Sequence, residues 1–239
     1  MTARRALGAL LTTALVSAGL GVVATAAPAT AADPIPTRIV PGSGRTAIVE
    51  ATGYKKQPGI PAFGSSLYVN VNVEALVNGA WQQVYYGSVS VTQTLDGGAP
   101  QVVAQNDSPY VYEDIPAQGN ATYTVSYSGA TGGYPAATYA PATATLAVAV
   151  QRKVEVKNVG NRKVVLRGKV GPQYRGKVTI VKKVGKKWKA WKSVRTNKRS
   201  VFKTPLPAPN RGRFYWRVLI RPGGGFSATD SGQFWTYKI

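Results

Sequence analysis

The amino-acid sequence predicts an all-β protein: two tandem β-sandwiches behind a removable leader. Three observations carry the prediction. Apolar residues recur at every second position in short runs, turn-forming residues cluster between those runs, and the charge changes sign near Gln151. A period of two buries one face of a strand and wets the other. Short strands divided by Gly, Pro, Asn and Asp favour sandwiches or barrels. A step in composition marks a domain boundary.

Along the chain, the leader comes first. Arg4 and Arg5 precede an apolar stretch from Ala6 to Val23, and Ala29-Thr30-Ala31 is a small-x-small cleavage site. Residues 1–31 therefore read as a secretory signal peptide. An uncleaved N-terminal anchor is the competing reading, because the apolar run nearly reaches spanning length. The C-terminal FWTYKI is neither a hydrophobic tail nor a wall-sorting motif. The expectation is a soluble extracellular protein, free or held non-covalently at the cell wall.

Residues 35–150 form the first expected sandwich. Leu67, Val69, Val71 and Val73 alternate with Tyr68, Asn70, Asn72 and Glu74. Tyr123, Val125 and Tyr127 alternate with threonine and serine, and Leu146, Val148 and Val150 make another strand. Residues 152–239 form the second. Val164, Leu166 and Val170 recur at even spacing, as do Phe214, Trp216, Val218 and Ile220. Asp96-Gly97-Gly98, Pro209-Asn210 and Pro222-Gly223-Gly224-Gly225 are turn clusters between such runs. From residue 33 to 150 there are four bases and seven acids; from 151 onward there are 24 bases and two acids, Glu155 and Asp230.

A weak internal repeat links the halves. Asn78-Gly79-Ala80-Trp81-Gln82 parallels Gly185-Lys186-Lys187-Trp188-Lys189, and Ile115-Pro116-Ala117 parallels Leu206-Pro207-Ala208. Tyr123-Thr124-Val125 and Trp216-Arg217-Val218 follow in the same order. The second half, through Gly176 to Ile180, Trp188, Phe202 and Gly212 to Val218, resembles the immunoglobulin-like or fibronectin-like sandwich modules of secreted actinobacterial proteins. The first half resembles them less, through Trp81 and residues 115–127. The resemblance implies two Ig-like sandwiches and an extracellular setting, and no defined activity.

Composition removes most catalytic chemistry. The 239 residues carry a net charge of +21, with no Cys, no His, and methionine only at position 1. Thiolate nucleophiles, imidazole bases, disulfides and Cys/His metal sites are excluded. No carboxylate pair or Gly-x-Ser-x-Gly stands out. Asn106, Asp107, Glu113 and Asp114 read as an ordinary loop rather than a cation site. Asn120-Ala121-Thr122 fits a glycosylation sequon beside a strand. A non-enzymatic protein without cofactor or metal is expected.

Residues 182–199, KKVGKKWKAWKSVRTNKR, pose the sharpest question. Val181, Val184, Trp188 and Trp191 would line one stripe of a cationic amphipathic helix, the pattern of a membrane-active segment. As a hairpin, the chain would turn through Val184-Gly185-Lys186-Lys187. It would return with Trp188, Ala190 and Val194 inward and Lys189, Trp191 and Ser193 outward. Valines favour the hairpin, and Trp81 has a counterpart position in a stretch without cationic character. Trp81, Trp188 and Trp216 read as core residues.

The hairpin makes a basic outer face interleaved with aromatics. Its expected residues are Lys177, Lys183, Lys189, Trp191, Arg213, Tyr215, Arg217 and Arg221, with Arg167 and Lys169 on the opposite sheet. Such a face suits anionic polymers: wall polymer, acidic polysaccharide or extracellular DNA. The competing readings are a structural or protein-interaction module, in which the acidic first half meets a basic neighbour, and the membrane-active segment.

Overall fold

The computed structural model describes residues 33–52, 57–132, 137–160 and 163–237. Residues 1–32, which include the expected signal peptide, and residues 53–56, 133–136, 161–162 and 238–239 lie outside them. Among the described residues the secondary structure is all β. The first strands are β1 (Thr37–Pro41), β2 (Val49–Ala51), β3 (Ser66–Val77), β4 (Ala80–Gln83), β5 (Val89–Leu95) and β6 (Gln101–Asn106). Then come β7 (Tyr110–Pro116), β8 (Ala121–Tyr127), β9 (Ala130–Gly132), β10 (Ala137–Tyr139) and β11 (Ala142–Val148). The basic half holds β12 (Lys153–Asn158), β13 (Val165–Gly171), β14 (Lys177–Val184) and β15 (Lys187–Arg195). It ends with β16 (Val201–Pro205), β17 (Phe214–Ile220), β18 (Thr229–Asp230) and β19 (Phe234–Thr236).

Two hydrophobic cores each lie between two antiparallel sheets. The first sheet is built on β3, which pairs with β1, β2, β4 and β7; it faces a sheet ordered β11-β8-β5-β6. Leu67, Val69, Val71 and Val73 are fully buried against Val91, Tyr123 and Val125, as period-two burial requires. The second core lies between β12-β13-β16 and the sheet β15-β14-β17-β18, with β19 also on β17. Trp216 is its largest fully buried side chain, and its indole N–H donates to Thr236 Oγ1 at 3.0 Å. Between Leu166 and Val170, Gly168 leaves the space that the Phe202 ring fills; a Cβ there would sit 2.0 Å from that ring.

Residues 33–239 form one compact unit, and the crossing between the cores is buried. The Gln151 side chain donates to the carbonyls of Pro58 and Ile60, each at 2.8 Å, and accepts from the Asp230 N–H at 3.0 Å. Gln57 donates to the carbonyls of Arg152 and Asp230 and accepts from the Val154 N–H. The Arg152 guanidinium lies between the rings of Tyr174 and Phe226, 4.7 and 4.4 Å from their centroids, and burial lowers its pKa. Asn120, the sequon asparagine, accepts from the Val150 N–H and the Ser227 hydroxyl, so its side chain is a tie between the halves.

The cationic stretch is a hairpin. β14 and β15 pair from Lys177↔Arg195 to Val184↔Lys187, leaving Gly185-Lys186 as a two-residue turn. Gly185 has φ 61°, the left-handed conformation such a turn needs at its first central position. The helical stripe does not form.

Candidate functional site

The outer face of the β15-β14-β17 sheet is built by cross-strand pairs, whose side chains share a face. From β14, Lys177, Thr179, Val181 and Lys183 point away from the core; Val178 and Ile180 point into it. On β17, Tyr215, Arg217 and Leu219 face outward, opposite to buried Trp216, Val218 and Ile220. Val181 lies opposite Arg217, and Thr179 opposite Leu219. Tyr215 lies opposite Trp235 on β19, and Leu219 opposite Asp230 on β18.

Two expected members leave this face. A register shift between Ile180 and Val181 leaves Trp191 as an extra residue between the pairs Ile180↔Lys192 and Val181↔Ala190. Such a bulge exchanges the faces of everything beyond it. Trp191 therefore packs edge-on against Trp216, ring centroids 5.3 Å apart. Lys189 lies opposite Lys182, whose ammonium sits 3.3 Å from the Phe214 centroid at the rim of the core. Trp188, expected inside, pairs with Lys183 on the outer face, and Ala190 pairs with outward Val181. Counting from the turn puts Trp188 outside, while counting back from buried-side Val194 puts it inside. That disagreement of one residue was the available signal of a bulge.

The face is a lattice of cations over rings. The Arg217 guanidinium lies 4.4 Å from the Trp188 centroid, Arg213 lies 5.0 Å from Trp235, and Lys183 lies 5.9 Å from Tyr215. Arg217 also donates to Asp230 at 2.8 Å, and its Nε is buried with no hydrogen-bond partner among the described residues. Arg217 is thus a structural cation, already committed to Asp230 and Trp188. Lys177, Lys183, Arg195, Arg213 and Arg221 are exposed. Beside them an open concavity of about 820 Å³ has Val181 and Leu219 on its floor, Arg221 at its side and loop residues Pro58 to Ile60 as a wall. With no histidine in the chain, the face has no group that ordinarily titrates between pH 5 and 8.

The acidic loop residues do not converge. Asn106 accepts from the Ser108 N–H, and Asp114 accepts from the Ser66 hydroxyl at 2.7 Å. Glu113 and Asp114 are neighbours on a strand and so project to opposite faces.

No family model and no curated protein matches this chain. A chain from a solved structure of a "1.5-MDa bacterial ice-binding adhesin" is similar at 11% identity, covering 87% of this chain and 66% of that one, with a TM-score of 0.27. This chain thus spans just under two thirds of that one, and a likeness so slight carries no argument about function.

Proposed function

We propose that this protein is a secreted, non-catalytic module that attaches to anionic polymers at the cell envelope or outside it. The contact is the outer face of the second sandwich. One observation supports this above the rest: Lys177, Lys183, Arg195, Arg213 and Arg221 are exposed there, and the face's carboxylate, Asp230, is already bound by Arg217. Clustered like charges repel one another, and a polyanion relieves that repulsion while releasing its own counterions. Rings beneath the cations add flat surface on which sugars or bases stack.

The competing protein-interaction reading needs an acidic surface on the first half. Two of its seven acids are spent internally, Glu74 on Arg38 and Glu50 on Arg45, at 2.7 and 2.8 Å, and the adjacent Glu113 and Asp114 project to opposite faces. Polymer attachment therefore has the better support.

The test is retention of the protein on immobilised DNA, heparin and purified cell wall, eluted with rising salt. Retention on at least one near physiological ionic strength is expected. Passing unretained through all three would sink the proposal. Replacing Lys183, Arg213 and Arg221 with alanine should lower the salt slope on DNA by about two to three. An equal fall from any other three basic residues would mean diffuse charge and no defined face.

A further inference from the structure

A row of exposed aromatic side chains lies on the outer face of the β3 sheet in the first sandwich. β7 and β4 run end to end along one edge of β3, covering Ser66–Asn72 and Glu74–Val77 respectively. Asn70, covered beside Gly42, and the less covered Asn72, Glu74 and Leu76 therefore stand opposite Tyr112, Tyr110, Gln83 and Trp81 in turn. From Asn70 to Leu76 a strand rises about 20 Å. Tyr112, Tyr110 and Trp81 are 48%, 37% and 39% exposed, so Trp81, expected in the core, stands on the outer face opposite Leu76.

Exposed rings in a line are informative where isolated ones are not. The Tyr110 and Tyr112 rings lie 5.5 Å apart and only 31° from parallel, so together they make one broad step. The Tyr112 hydroxyl donates to Asn72 Oδ1 at 3.2 Å, which fixes the amide and leaves its N–H groups as donors beside that step. At the far end Arg38 lies 4.2 Å from the Trp81 centroid while donating twice to Glu74. Arg45 likewise covers Tyr68 and donates to Glu50. Both arginines of this face are thus paired within it, and Asp114, outward opposite Tyr68, adds a further carboxylate; the second sandwich instead exposes unpaired cations.

We infer that this strip binds an uncharged polysaccharide of pyranose rings lying along β3. The Tyr110–Tyr112 step stacks on sugar rings, Trp81 with Arg38 across it bounds the strip, and Asn72, Gln83 and Glu74 hydrogen-bond the sugar hydroxyls. Aromatic faces carry negative charge density that attracts the C–H groups on a pyranose face. Planar polar side chains at the edge of such a platform fix orientation. A polyanion would gain nothing from a face whose cations are already paired. Glu113, an acid turned toward the core side of the edge strand β7, discourages strand addition there and leaves the flat face as the surface on offer.

The test is calorimetric titration of the whole protein with cellohexaose and with chitohexaose in about 1 M NaCl, where charges are screened beyond about 3 Å. Binding of at least one is expected. Tyr110→Ala with Tyr112→Ala should weaken it at least about tenfold, while Tyr112→Phe, which keeps the ring, should change it by less than about threefold. If the double variant does not fold, Tyr110→Ala alone gives the same reading. The alanine triple on the basic face should leave it unchanged, so this inference and polymer attachment fail separately. Binding of neither sugar, equal binding by the tyrosine variants, or loss of binding in salt overturns the inference. So does sedimentation showing that the tyrosine variants dissolve a dimer, which would make the strip a contact between copies.

Discussion

In the first sandwich Arg38 lies over Trp81 and donates to Glu74; in the second Arg217 lies over Trp188 and donates to Asp230. Both tryptophans are second in a strand that returns from a two-residue turn, Asn78-Gly79 or Gly185-Lys186. The same trio of arginine, indole and carboxylate therefore sits on the outer face of both. Its surroundings differ completely. Tyrosine, asparagine and glutamine flank the first, whereas exposed lysine and arginine flank the second. Period-two burial fixes what lies inside and leaves the wet positions free, so one architecture carries two unrelated surfaces.

The largest effect should separate core from platform. Trp216→Ala removes a fully buried ring and should cost about 3–5 kcal/mol in denaturant unfolding. Trp188→Ala, on the outer face, should cost about 1 kcal/mol or less. Equal costs would erase the distinction between the two positions. Next is the joint. Gln151→Ala removes three part-buried hydrogen bonds, to two carbonyls and an N–H, costing about 1–3 kcal/mol, and should split the unfolding of the halves into separable transitions. A single unchanged transition would show that the coupling lies elsewhere.

Smaller still is the carboxylate comparison. Asp230→Asn and Glu74→Gln each remove a half-exposed ion pair worth about 1 kcal/mol at most. Only Asp230→Asn frees a cation on the basic face, so only it should raise the salt needed for elution from DNA. The smallest effect is alkaline. Burial raises the pKa of Tyr123 and Tyr127, both in the first core. Folded phenols then hold protons that the unfolded chain releases above about pH 10. Their contribution is intact below that value and is lost as pH rises through the folded pKa, which a pH series of denaturant unfolding of the first sandwich reads directly.

The sequence was most legible where one face of a strand is dry. Leu67 to Val73 and Phe214 to Ile220 announce their inward sides because burying a wrong side chain there is costly. Prediction failed beyond the bulge on β15, an exposed edge strand with no such penalty. Trp188 and Trp191 exchanged faces there, taking Lys189 with them, because no glycine marks the extra residue. The trio over each tryptophan was hidden for another reason. Arg38 and Trp81 are far apart in sequence and meet only through β3, a pairing that local periodicity does not encode.

Gln151 is held laterally by Pro61 and Phe63 on one side and by Asp230 on the other. A chain crossing fastened on both flanks acts as a bracket, not a swivel. Tethered sites linked by a floppy spacer meet their ligands over a broad range of separations, whereas a stiff mount gives full avidity at one spacing and almost none at others. On the proposed two-surface reading, a wall whose strands are woven at the wrong pitch would hold this molecule by one hand only.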